Sequence, residues 1–271
     1  DQMYAGAKVM AMNFPSAGRR GFFDQRSEED IKKEVERNQK AMNEVFDQAA
    51  LFARIDSAAQ KDPSLKKDFN PEMQALAKVV RGELPLMIEV NSAEDIKAAI
   101  KWVAERKLKR VIFSGVAEGW RVAEEIAKAG IPVITGPVLA LPTRASDPYD
   151  APYANPGLMH KAGVKVALRT SSAENARRLP YNAGFAAAYG MGREAALRAV
   201  TIVPAQIFGV DKEMGSLEVG KDATLFVSTG DPFETKTLIK YLFIDGYLVP
   251  IDSRHIQLYN EFLNRATGVE K

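Results

Sequence analysis

The side chains that could do chemistry gather in two stretches. One follows a short apolar run and reads Arg169-Thr170-Ser171-Ser172, with Asn175, Arg177 and Arg178 close behind. The other is a long Pro-rich loop that carries Thr143, Arg144, Asp147, Tyr149, Asp150 and Tyr153. An arginine offers a planar fork of donors, and hydroxyls and aromatic rings beside it suit a carboxylate-bearing or otherwise polar small molecule. The same stretches also read as solvated turns held by Asp-Pro and Tyr-Asp steps; both readings stand at this point. A thiol nucleophile and every thiolate metal site are excluded, because the chain has no cysteine. Ser114, in Ser114-Gly115-Val116-Ala117-Glu118, lacks the elbow sequence of a nucleophile and has no histidine placed to activate it. The two histidines, His160 and His255, fall away from the ends of strand-like runs.

The elements that must position these residues alternate. Ala5–Met12, Leu86–Val90, Arg110–Ser114, Ile131–Thr135 and Val164–Leu168 are short apolar runs of strand length. Between them, Ser27 opens a long helix to about Ala59, with Glu28, Glu29 and Asp30 favouring its N-terminal dipole and Ile31, Val35, Met42, Val45, Phe46 and Leu51 at helical spacing. Asn70-Pro71-Glu72 starts a second helix, running to about Arg81, and Ser92 with Asp95 starts a third, to about Arg106. Glu118–Ala129, stopped by Gly130, and a short segment from Ala154 to Ala162 read as two more. Strands and helices alternating at this spacing predict parallel β-α units, in a doubly wound sheet or a barrel. Further on, Asp245-Gly246 between Tyr241-Leu-Phe-Ile and Tyr247-Leu-Val is the signal of a type I′ hairpin, and Ser253 to Arg265 reads as a helix.

Composition narrows the function classes. The net charge is +2 from 37 basic and 35 acidic residues, so nothing points to nucleic acid or an anionic membrane as partner. No apolar run is long enough to span a bilayer. A soluble protein is expected, in the cytoplasm or exported; the composition does not choose between these compartments.

The order Gly163-Val-Lys-Val-Ala-Leu-Arg-Thr-Ser-Ser172, then the small-residue run through Ala199-Val-Thr-Ile-Val-Pro-Ala-Gln-Ile-Phe-Gly209, then Gly215-Ser-Leu-Glu-Val-Gly-Lys-Asp-Ala-Thr-Leu-Phe-Val227, resembles the C-terminal end of amidohydrolase-superfamily enzymes. The imidazolonepropionase-like and prolidase-like members are the most similar. The resemblance implies a (β/α)8 TIM barrel of which strands four to eight are here, over residues 1–210. It also implies the C-terminal part of a small β-sandwich over 211–252 and a C-terminal helix over 253–271. The strands at Lys8, Leu86, Val111, Ile131 and Val164 then become the fourth to the eighth. An N-terminal segment or a second chain is expected to complete the barrel and cover its edges, with homo-oligomerisation as one route.

By the same resemblance the fold binds metal through His-x-His on strand one, Lys or a carboxylate on strand four, His on strands five and six and Asp on strand eight, and the metal activates water. Those places fall on Lys8, Glu89, Ser114 and, in the pair Thr170-Ser171, on Ser171 where Asp is expected. Lys8 reads either as this retained lysine or as an edge lysine. Glu89 reads as a ligand for a hard metal or, more commonly, as a carboxylate paired with a barrel Arg or Lys. The resemblance therefore implies either no metal or a single divalent one, zinc by family, with Lys8 and Glu89 as its donors. It implies Lys8, Glu89 and Ser171 as catalytic candidates, and Arg144, Tyr149, Arg169, Thr170, Asn175 and Arg177 as substrate-binding candidates. The expected function is hydrolysis of non-peptide C–N bonds, amide or cyclic amide, or of dipeptides, at an altered or metal-poor site. The alternative is a catalytically degenerate fold that binds a polar or carboxylate-bearing small molecule or a partner protein.

Overall fold

The computed structural model describes residues 8–16, 26–62, 64, 69–263, 265 and 268. Its organising element is a parallel five-stranded sheet: β1 (Met10–Asn13), β2 (Leu86–Val90), β3 (Val111–Gly115), β4 (Val133–Thr135) and β5 (Val166–Leu168). The strands stand side by side in chain order, β1-β2-β3-β4-β5. Strand order that never reverses places successive right-handed crossovers on the same face, as in a barrel wall; a doubly wound sheet would reverse. The barrel is not closed, since β1 and β5 each have one neighbour among the described residues.

The helices of the wall are α1 (Glu28–Lys61), α2 (Pro71–Arg81), α3 (Ala93–Glu105), α4 (Ala123–Ala129) and α5 (Ala151–Lys161). Three begin where local chemistry requires. The Ser27, Asn70 and Ser92 side chains accept from the amides of Asp30, Met73 and Asp95, each satisfying a donor that the first turn leaves free. Gly82 and Gly130 end α2 and α4 in the left-handed conformation. The segment at Glu118 departs from expectation: a single 3-10 turn spans Gly119–Arg121 and α4 begins only at Ala123. Glu118 is used elsewhere, as shown below.

Side chains alternate across each strand. Leu86, Ile88 and Val90 of β2 join Phe113, Val133, Val166 and Leu168 in the main core against the helices, with Ile96, Trp102 and Ile126 from the helical layer. Trp102 is gripped from α1, edge-on to Phe46 at 4.9 Å and donating to Asn43 at 2.9 Å. The opposite face carries Ile112, Ile134 and Ala167, covered by Ile207, Val203 and Phe208 of α8 (Ile202–Phe208). Between β5 and α8 lie α6 (Leu179–Ala186) and α7 (Arg193–Ala199), joined through a π-helical turn at Ala187–Met191.

A second, antiparallel sheet follows: β6 (Leu225–Ser228), β7 (Ile239–Ile244) and β8 (Tyr247–Val249). Asp245 and Gly246 both take positive φ between β7 and β8, as a type I′ turn requires. Helix α9 (Arg254–Leu263) comes last.

One expectation is corrected at β1. The described strand is Met10–Asn13, whereas Ala5–Ala7 lie outside the described residues. Lys8 thus precedes the strand and is exposed. The residue level with Glu89 is Asn13, five positions further on, so Lys8 sits about 16 Å along the sheet from the strand ends.

Phe113 is wholly buried at the centre of the main core. Its replacement by alanine is expected to cost about 3–5 kcal/mol, the transfer term plus the cavity term. Urea unfolding followed by far-UV circular dichroism measures this as a lowered midpoint at unchanged slope.

Candidate functional site

Register alone brings a polar cluster together. Asn13, Glu89 and Ser114 are level across β1, β2 and β3, and Ile134 and Ala167 continue the row. Arg169 lies two residues past Ala167 and returns to the face that Glu89 and Ser114 share. Its guanidinium then spans three strand ends. Nη1 donates to Glu89 Oε2 at 2.9 Å and to Ser114 Oγ at 2.5 Å, Nη2 donates to Glu89 Oε1 at 2.7 Å, and Nε donates to the Gly136 carbonyl at 3.4 Å. Parallel forked contacts of this kind are the strongest an arginine makes.

The backbone at the strand ends is shaped to allow this. Gly115 takes φ +87°, and a Cβ there would stand 2.7 Å from Glu89 Oε1 and 2.4 Å from Asn91 Oδ1. Val116 follows with φ 53°, an uncommon conformation for a β-branched residue. It is held by its amide to the Val90 carbonyl at 2.7 Å and by Asn155 Nδ2 on its own carbonyl at 3.0 Å. Gly136 carries no Cβ because one would lie 2.1 Å from the Arg169 carbonyl oxygen. Ser171, at φ 57°, donates its hydroxyl to the Gly136 carbonyl at 2.9 Å.

A cleft of about 260 Å³ opens over this cluster, at the C-terminal ends of the strands. One wall is polar, with Glu89, Asn91, Thr135, Asn155, Arg169 and Ser171; the other is apolar, with Val138, Leu141, Pro152 and Pro156 among its residues. Thr135 is buried, donating to the Gly115 carbonyl at 2.8 Å and accepting from Asn155 Nδ2 at 3.3 Å. Larger clefts of about 630 and 560 Å³ lie elsewhere, beside His160 and Arg198 and beside Phe185 and Asp231. Neither is at the strand-end cluster.

The loop after β4 is fastened over the cleft by a second pair. Glu118 is almost fully buried and accepts from Arg144 Nε at 2.5 Å, from Arg144 Nη2 at 2.7 Å and from the Ala93 amide at the start of α3 at 2.9 Å. Arg121 pairs with Asp147 on the same loop. Asn182 Oδ1 accepts from the amides of Val138 and Leu139.

Of the residues singled out from the sequence, Glu89, Thr143, Arg169 and Ser171 line one cleft. Thr170 turns to the Ser172 carbonyl at 3.1 Å. Arg144 serves Glu118, Tyr149 is exposed, and Asn175 and Arg177 belong to the turn before α6; none of these lines the cleft. Thr135, Asn155 and Glu118 were passed over. Only the position of Thr135 at a strand end signalled it, because Asn155 and Glu118 act through partners 20 or more residues away.

Burial pushes the Glu89 carboxyl up, but hydrogen bonds from Arg169 and Ser114, the Arg169 charge and Asn91 outweigh it and hold the group below the ordinary carboxylate range. Glu118 behaves alike: burial raises it, and Arg144 with the Ala93 amide brings it below that range. A lowered carboxyl stabilises the fold above its ordinary range and loses that contribution as pH falls through the folded value.

Residues 3–249 match the profile of the amidohydrolase family. An amidohydrolase from Thermotoga maritima MSB8 superposes with a TM-score of 0.73 at 24% identity, covering 89% of this chain and 62% of that one. A prolidase complexed with n-methylphosphonate-L-proline superposes at 0.50 with 17% identity, over 67% of this chain and 49% of that one. The chain therefore spans less than two thirds of the length of these solved relatives, and at such identities the likeness is one of fold. No curated protein matches.

Arg169→Ala is expected to raise the Glu89 titration, since burial is then opposed only by the hydrogen bonds of Ser114 and Asn91. Carboxyl-carbon NMR across pH reads this directly. An unmoved titration would show that the guanidinium does not set it.

Proposed function

The chain belongs to the amidohydrolase family, and on that premise we propose that it is a hydrolase of non-peptide C–N bonds, amide or cyclic amide, or of dipeptides, at the cleft around Glu89 and Arg169. The observation that carries the proposal is the Glu89–Arg169–Ser114 cluster at the C-terminal rim of a parallel barrel wall, where folds of this kind place their chemistry.

The family generally uses a divalent metal. The donor set here does not fit one: the strand-end places expected to carry ligands hold Asn13, Glu89, Ser114 and Ser171, and both oxygens of the lone carboxylate among them are taken by a guanidinium. Among the described residues no three His, Cys, Asp or Glu side chains converge. The zinc that the resemblance implies is therefore not supplied with ligands by Lys8 and Glu89, and no step is derived through it.

What the residues themselves supply is polar positioning. Asn91 and the N–H of Arg169 Nη2 that is not spent on Glu89 can donate to a carbonyl or carboxylate, while Val138, Leu141, Pro152 and Pro156 accept an apolar part. In hydrolysis a water oxygen adds to the carbonyl carbon, the C–N bond breaks, and the proton released by water ends on the leaving nitrogen. Glu89 is the carboxylate of this cleft that can relay that proton. Its lowered titration makes it ionised near neutrality but a weak base, better suited to orienting water than to stripping it.

One observation favours the second reading, a degenerate fold that binds a polar or carboxylate-bearing molecule or a partner protein. Glu89 is paired with Arg169, and among the described residues that line the cleft no other carboxylate or imidazole is present to act as a base. Two variants separate the readings. Glu89→Gln is expected to lower hydrolysis of dipeptides or of linear and cyclic amides by at least about 100-fold, as loss of a proton relay does; an unchanged rate would sink this role. Arg169→Ala should weaken binding of the same compounds by about 1–3 kcal/mol, the value of a charge-assisted contact.

Completion of the wall by an N-terminal segment or a second chain, self-association included, belongs to the same proposal. Its motive is the pair of edges at β1 and β5. A native mass spectrum is expected to show this 29.8 kDa chain accompanied by further polypeptide; a lone monomer in a folded charge-state distribution contradicts it.

A further inference from the structure

The two strand-end positions that the family resemblance assigns to histidine ligands are Glu89 and Ser114, and both turn to one group, the guanidinium of Arg169. That group also faces the Gly136 carbonyl, so it gathers the ends of β2, β3 and β4 from its own place after β5. A metal ion in such a fold does the same two things: it neutralises anionic oxygens and ties strand ends together at one point.

We propose that Arg169 is the resident cation of this site, a guanidinium built into the chain in place of the divalent metal, and that it keeps such an ion out. The distances support this on both counts. Two nitrogens lie 2.7 and 2.9 Å from the two Glu89 oxygens, so each oxygen already spends a lone pair on a cation, and a metal at about 2.0–2.6 Å would have to share it with the guanidinium. A divalent ion at either oxygen would also stand beside a fixed positive charge, and among the described residues that line the cleft there is no imidazole or second carboxylate to offset it. The surrounding backbone fits the planar fork. Gly115 and Gly136, neither of which could carry a Cβ, let Glu89 and the Arg169 main chain approach as closely as they do. Glu118 and Arg144, 26 residues apart, form a second forked pair that fastens the loop after β4.

The inference rests on reading this rim as the site, not on which bond is cut; a chain without hydrolytic activity can still satisfy it. The test follows thermal unfolding of the whole chain with ZnCl2, MnCl2, MgCl2, guanidinium and NaCl. The expected result for the natural sequence is no rise in Tm with any of the three metals beyond that of Glu89→Gln. Arg169→Ala should melt lower, and low millimolar guanidinium, far below denaturing concentrations, should recover part of the loss where equal NaCl does not. Adding Glu89→Gln to Arg169→Ala should remove that recovery. A metal-dependent rise in Tm of the natural chain that Glu89→Gln abolishes would overturn the proposal, and so would an Arg169→Ala chain that folds but ignores guanidinium. If Arg169→Ala fails to fold, the metal titration of the natural chain and of Glu89→Gln still decides.

Discussion

A forked contact between one arginine and one glutamate holds the working end of this wall together. Arg169 reaches from the end of the last strand of the parallel sheet across β4 and β3 to Glu89 on β2, and its four hydrogen bonds on the way fall on or next to strand ends. A partly buried guanidinium or carboxylate alone would be costly, so each needs the other. The need reaches into the backbone. Gly115 and Gly136 omit their side chains, Val116 accepts a left-handed conformation, and Asn155 ties that residue down. Shape and charge at the rim are thus one problem with one solution.

The Glu118–Arg144 pair extends the same principle outward. Glu118 gives one oxygen to the first amide of α3 and so satisfies a helix N-terminus, and the rest of its capacity fastens the loop after β4. One buried carboxylate therefore links the start of a wall helix to the roof of the cleft. The apolar side of the cleft, Leu141 above all with 89% exposure, is presented by a segment whose base is anchored while its tip remains open to whatever the cleft receives.

Local chemistry was readable from the chain, and remote pairing was not. Ser27, Asn70 and Ser92 announce their helices because a cap and its target lie three residues apart, and Asp245-Gly246 announces its turn for the same reason. The alternation of strands and helices also reads through, because burial on one or both faces imprints a period on the sequence. Arg169 and Glu89, in contrast, are 80 residues apart, and no local pattern names a partner at that range. Glu118 looked like the acidic first residue of a helix; its real use lies 25 residues back, at Ala93. The depth of Lys8 was not legible, because the pairing that fixes depth in the sheet, Met10 with Leu86, is not local.

That last pairing has a kinetic side. Neighbouring strands from β2 to β5 join residues 20 to 33 apart in sequence, whereas Met10 and Leu86 are 76 apart, with α1 and α2 between them. Closing the longer loop costs about 1 kcal/mol more in chain entropy if the intervening residues are disordered. Assembly of α1 on α2 shortens the effective tether and removes much of that cost. The long helical excursion would then favour one order of events: four strands zip up by short steps, and a preformed helical pair brings β1 to the sheet.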